Sequence, residues 1–162
     1  YINNQYMANY YKYFLMICFV FLWLSCENKK TFIYTFNNEE WNFKNDTIVF
    51  TYHNNNISNL HDISIFFRNN INYPYRNIYL LVEISHNQEI IQIDTLQYAI
   101  TDKYGRWVGN GLGDTKDNYF VFENDLKFPG VGIYNFNITH GMRKNPLVGC
   151  NKIGLKISEN AQ

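Results

Sequence analysis

The sequence predicts an all-β protein: two antiparallel sheets packed face to face, an immunoglobulin-like or jelly-roll β-sandwich. Three observations carry this expectation. From Thr31 onward, apolar and polar residues alternate with a period of two, in runs rich in aromatic and β-branched side chains. That is the pattern of strands buried on one face only. Clusters of Asn, Asp, Gly and Pro separate the runs, as turns require. No segment beyond Lys30 holds a helical period. Strands with one apolar face must cover it, so roughly seven to nine of them call for a second sheet.

The N-terminal elements differ from the rest. Residues 1–6, YINNQY, precede the first Met and are expected to be an over-extended translation start. From Met7 a polar stretch with one lysine, Lys12, leads into an apolar run from Tyr13 to Leu24. The run has the length of a signal-peptide core, about 7–15 residues, and falls short of the roughly 20 that span a membrane. It stops at Ser25-Cys26, and polar ENKK follows. A small residue before a cysteine is where a lipoprotein signal peptidase cuts once the thiol is acylated, although Trp23 stands where Leu is usual. Residues 7–25 therefore read as a lipoprotein signal peptide and Cys26 as the lipidated residue. Residues 26–30 read as a lipid-anchored tether and 31–162 as the sandwich domain. Two acyl chains suffice for stable anchoring, where one binds only marginally.

The strands follow in order. In Asp46–His53, Ile48, Phe50 and Tyr52 share a face, and in Asp62–Arg68 so do Ile63, Ile65 and Phe67. Ile78, Leu80, Val82 and Ile84 come next. Gly132–His140 is the cleanest run, with Tyr134, Phe136 and Ile138 against Asn135, Asn137 and Thr139. Ile153, Leu155 and Ile157 close the chain. The expected core includes Phe50, Phe67, Leu80, Tyr134, Phe136 and Leu155.

Composition narrows the function. Lys+Arg equals Asp+Glu and no basic stripe is visible, which argues against nucleic acid as a partner. Abundant Asn, Ile, Tyr, Lys and Phe share A/T-rich codons, so the Asn runs reflect base composition rather than a low-complexity segment. Cys18 lies in the signal and Cys26 carries lipid, which leaves Cys150 as the lone thiol. It is expected to be a small buried residue, with pairing between molecules or reactivity as the alternative.

No catalytic or metal constellation stands out. His53, His61, His86 and His140 are dispersed near strand ends and turns, and are expected to be solvated surface residues. Gly105–Asp114 has the glycines of a phosphate loop without the following helix or Lys-Ser/Thr, so sharp turns explain it better. Asp114, Asp117 and Asn118 lack the spacing of a calcium loop. Three Asn-x-Ser/Thr sequons, beginning at Asn45, Asn56 and Asn137, read as chance. No metal or cofactor is expected, and no catalytic residue.

A family resemblance runs along nearly the whole mature chain. Trp41, Asp46–Phe50, Phe67-Arg68-Asn69, Tyr73-Pro74-Tyr75, Asn77–Leu80 and Asp94-Thr95-Leu96 open the series. Gly105-Arg106-Trp107-Val108-Gly109, Gly111, Gly113, Phe128, Gly130, Tyr134, Phe136, Gly141-Met142-Arg143, Leu147 and Gly154-Leu155 complete it. In this order they resemble the gliding-motility lipoprotein family GldH of Bacteroidota, and only Gly149–Lys152 departs from the pattern. The resemblance implies a cell-envelope lipoprotein, anchored to the inner or outer membrane through acyl chains on Cys26. It implies other gliding-machinery proteins as neighbours, and no catalytic activity or cofactor.

An anchored sandwich of this kind reads as a non-catalytic interaction protein. Its expected binding surface lies on loops at one end, with Arg68, Tyr73, Tyr75, Arg76 and Arg143 as candidates. Tyr and Arg dominate interface hot spots, and loops on a rigid scaffold carry recognition. The competing structural reading has a tyrosine hydroxyl capping backbone and Arg68 paired with a carboxylate. A carbohydrate-binding module is the alternative function, with Tyr73, Tyr75 and Trp107 as a row of exposed rings. An enzyme would need a polar cleft with coupled ionisable groups.

Overall fold

The structure, a computed structural model, describes residues 29–44 and 46–160. The expected extension, signal peptide and Cys26 lie outside the described residues. The strands are β1 (Lys29–Thr35), β2 (Glu40–Trp41), β3 (Ile48–Asn54), β4 (Leu60–Asn70) and β5 (Asn77–His86). After them come β6 (Glu89–Ala99), β7 (Thr115–Leu126), β8 (Gly132–His140), β9 (Leu147–Val148) and β10 (Cys150–Asn160). One sheet has the order β1-β10-β4-β7, the other β3-β8-β5-β6, and β2 pairs with β9 in a small two-stranded ladder. Every pairing among the described strands is antiparallel.

Alternation builds the sandwich. Ile63, Ile65 and Phe67 of β4 and Ile153, Leu155 and Ile157 of β10 line one inner face. Ile48, Phe50 and Tyr52 of β3, Leu80 and Val82 of β5, and Tyr134, Phe136 and Ile138 of β8 line the other. All six expected core residues are buried. Aromatic contacts close the two open flanks. Phe32 of β1 meets Phe50 of β3 at 6.2 Å between ring centroids, and Tyr98 of β6 stacks on Phe120 of β7 at 4.3 Å.

The structure departs from expectation in three places. β1 takes in Lys29 and Lys30 and pairs them with Ser158 and Ile157, so the sheet begins inside the stretch read as tether. Two long edge strands, β6 and β7, carry no clear alternation in sequence. β6 turns Gln92 and Asp94 inward and Ile91 and Ile93 outward, and inward polar residues are one way to blunt a sheet edge.

The third departure concerns histidines. His61 and His140 are buried rather than solvated, at 0% and 2% exposure. Each sits where a strand end meets another element, so a polar ring with two nitrogens can satisfy backbone and side-chain groups that an apolar residue would leave unpaired. Only His53 and His86 keep contact with solvent.

Register sorts the loops to two ends. Residues 36–44, 46–47, 71–76, 100–114 and 141–149 gather at one end. Loops 55–59, 87–88 and 127–131 gather at the other, together with the start of β1 and the end of β10. The chain therefore enters the domain at the end opposite the expected binding loops.

Candidate functional site

The small β2–β9 ladder organises the end remote from the chain entry. Trp41, wholly buried, pairs with Leu147, and its indole Nε1 donates to the Asp46 carbonyl at 2.9 Å. His140 donates from Nε2 to the Trp41 carbonyl at 3.1 Å and accepts the Met142 N–H on Nδ1 at 3.3 Å. These partners fix a neutral tautomer, and burial pulls the imidazole below its ordinary pKa. His140 thus holds the backbone of the 141–149 loop at its first turn.

Gly149 joins that loop to the 71–76 loop. Its φ is +77°, and a Cβ there would lie 2.5 Å from the Tyr73 backbone nitrogen. Glycine alone tolerates both conditions. The Asn70 N–H donates to the Gly149 carbonyl at 2.9 Å. Tyr73 is 4% exposed, with its ring edge-on to Phe67 and its hydroxyl donating to the Asn77 carbonyl at 3.0 Å. Burial raises its pKa far above that of free tyrosine. The Tyr73 hydroxyl thus closes the 71–76 turn, and its side chain is not offered to solvent.

The two braced loops enclose an open groove of about 470 Å³, lined by Tyr75, Asn77, Tyr79, Gly141, Met142 and Arg143. Tyr75 leans edge-on against Tyr73 at 6.1 Å. The Tyr79 N–H donates to the Met142 sulfur at 3.2 Å, and the Gly141 N–H donates to the Tyr79 carbonyl at 2.8 Å. Arg143 is exposed at the rim. An aromatic wall, a thioether floor and one cation suit an apolar side chain with a nearby acidic or carbonyl group.

Of the five candidates, Tyr75 and Arg143 come together in this groove. Arg76 is exposed in the adjoining loop, where its carbonyl accepts from the N–H groups of Ile100 and Thr101. Arg68 lies elsewhere. It sits on β4 rather than a loop, on the outer sheet face beside Phe66 and Tyr119, and chelates Asp117 through Nε at 2.5 Å and Nη2 at 2.6 Å. That hydrogen bonding holds the Asp117 carboxyl below the usual range. Tyr79 and Met142 are the groove residues that sequence reasoning passed over. Tyr79 was detectable as an aromatic on the otherwise outward face of β5.

The Gly105–Asp114 run forms a second feature at this end. Asn110 and Asp117 exchange two backbone hydrogen bonds, and Lys116 Nζ donates to the carbonyls of Gly111 and Gly113. Leu112, between those glycines, is 97% exposed on a loop braced from behind. Trp107 is half-buried against the core, and the Tyr73 and Tyr75 rings stand at 72° to each other, so the three make no flat platform. Cys150 is buried and free, and burial pushes its thiol far up from its ordinary pKa. Among the described residues no group of three or more His, Cys, Asp or Glu could hold a metal ion, and no helix is long and apolar enough to cross a membrane.

Fold and site together define an all-β domain with a small open groove at the end away from its chain entry. The family model described as GldH lipoprotein matches residues 30–157, and the chain belongs to that family. It is 30% identical, over 95% of its own length and 99% of the other's, to a protein named gliding motility lipoprotein GldH homolog from Christiangramia forsetii. It is 26% identical to the gliding motility lipoprotein GldH of Flavobacterium johnsoniae, over 90% and 94% of the two chains. Among solved structures, dimeric latent PorU from Porphyromonas gingivalis aligns with 85% of this chain and 13% of its own, at 9% identity and a TM-score of 0.32.

Proposed function

We propose that this chain is a non-catalytic component of a gliding-motility apparatus, held to a membrane of the cell envelope through acylated Cys26. It works through protein contacts made at the end of the sandwich away from that anchor. One observation carries the reading: Tyr75 and Arg143 converge over Met142 in a groove at that end, on loops locked by Gly149, Tyr73 and His140. A preformed groove loses little entropy when a partner docks. Leu112 and Ile71 are exposed in loops at the same end, and the family membership supports the cellular setting.

The test is a double substitution, Tyr75→Ala with Arg143→Ala, in a strain lacking the native gene. The variant should melt within a few degrees of the parent, reach normal levels in the membrane and fail to restore gliding. Full gliding at normal protein levels would overturn the partner site. Acylation is checked separately by metabolic labelling with a clickable fatty acid, where Cys26→Ala should remain unlabelled.

A further inference from the structure

We propose that the chain-entry end of the sandwich stands directly on the bilayer, with Ile57, Ile90 and Val131 set into the lipid headgroup layer. The proposal rests on the anchoring reading, that Cys26 carries the acyl chains, and adds the orientation and contact surface of the domain. Only Glu27 and Asn28 separate Cys26 from β1. The three steps from Cys26 to Lys29 reach at most about 10 Å, at roughly 3.3–3.6 Å per residue. The start of β1 is therefore held within that distance of the headgroups, and the loops beside it share the constraint.

Those loops carry what a membrane surface requires. Ile57 is 50% exposed at the tip of the 55–59 loop, Val131 56% in the 127–131 loop, and Ile90 56% just past the β5–β6 turn. Each tip is backed by fixed groups. Asn54 Nδ2 donates to the Gly130 carbonyl at 2.9 Å, and the Ser58 N–H donates to Asn56 Oδ1 at 2.9 Å. His86 Nε2 donates to the Val131 carbonyl at 3.1 Å while its ring stacks on Tyr134 at 4.3 Å. That stacking needs Gly130 and Gly132, whose added Cβ atoms would meet the His86 ring at 3.0 and 3.1 Å. Beneath, Phe128, Tyr52 and His61 fill the space. Apolar tips on a hydrogen-bonded frame insert without first paying to order themselves, to a depth of roughly 5–10 Å for interfacial elements.

Charge selects a mode. Lys29, Lys30 and Lys127 near this end are matched by Asp62, Glu89, Asp125 and Glu159, so the contact is apolar and does not depend on anionic lipid. The rival posture lays the molecule on the outer face of the β1-β10-β4-β7 sheet, where Tyr119 and Val121 are exposed beside Lys152 and Lys156. It leaves Ile57, Ile90 and Val131 in water.

The experiment uses the full acylated lipoprotein in phosphatidylcholine vesicles, with an environment-sensitive NBD dye on single introduced cysteines. Acylated Cys26 and buried Cys150 should take up no label, and the unsubstituted protein checks this. Dyes at Ile57→Cys and Val131→Cys should show blue-shifted emission and strong quenching by nitroxide-labelled lipid, unchanged between low and high salt. Dyes at Leu112→Cys and Tyr119→Cys should match the detergent-free aqueous spectrum. Protein that floats with the vesicles while the dyes at 57 and 131 report water would overturn this proposal and leave the anchor intact. Lipid quenching at 119 would overturn it in favour of the side-lying posture. Protein that does not float removes the anchor, and this contact with it.

Discussion

At the residue scale, the polar groups inside this domain act as structural fasteners, and histidine shows it best. His140 is neutral, bonded on both nitrogens, and its pKa is lowered chiefly by burial. His61 is lowered for the same leading reason, offset in part by the Leu126 carbonyl and Glu159. A depressed folded pKa means that the unfolded chain binds the proton first. Their contribution to stability is therefore whole above about pH 6.5 and is lost as pH falls below it. The melting temperature should decline from about pH 7 to pH 5, and the decline should flatten in His140→Gln, where one of the two titrations is gone. An equal slope in parent and variant would contradict this. Cys150 offers a second check, since its buried thiol should resist a thiol reagent until the protein unfolds. Sequence position alone could not reveal these roles: strand-end histidines look alike until the β2–β9 ladder, formed across a long loop, covers one of them.

At the scale of elements, legibility followed the strength of alternation. The Gly132–His140 run matches β8 at both ends, because inward Tyr134, Phe136 and Ile138 are apolar and its neighbours on both sides are paired strands. Phe136→Ala at its centre should cost about 3–5 kcal/mol by denaturant titration, through the lost ring and the cavity it leaves. β6 resisted reading because its outer isoleucines and inner Gln92 and Asp94 reverse the usual pattern. β7 was obscured by register shifts opposite β4, which break its periodicity between His61 and Ser64. The groove was half legible: Tyr75 and Arg143 were visible as loop residues, whereas the packing of Tyr73 and the pairing of Arg68 with Asp117 depend on contacts distant in sequence. Gly149 is the joint between the two groove loops. Gly149→Ala should destabilise the fold by about 1–3 kcal/mol from its positive φ alone, and by more because of the Tyr73 backbone.

At the scale of the whole molecule, the antiparallel topology separates two surfaces by the length of a strand. β10 spans 11 residues, about 35 Å at roughly 3.3 Å per residue. If the chain entry stands on the bilayer as proposed, the Tyr75–Arg143 groove and Leu112 would be displayed about that far above it, at a height set by the fold and by Glu27 and Asn28, the two residues between Cys26 and β1. On that proposal a short tether would act as a spacer as well as an anchor, and a partner fixed in the same membrane would be met at one height. Lengthening the tether tests this without touching the domain. A flexible Gly/Ser insert of about 20 residues between Asn28 and Lys29 adds an r.m.s. reach of about 25 Å and frees the domain to tilt. Acylation, membrane flotation and melting temperature should all match the parent, because nothing in the sandwich changes. Gliding in the complemented strain should fall towards that of the strain lacking the gene, and a groove dye should lose its fixed distance to the lipid surface. Parental gliding with the long tether would show that height carries no function, and that the domain finds its partner by diffusion at the end of a leash.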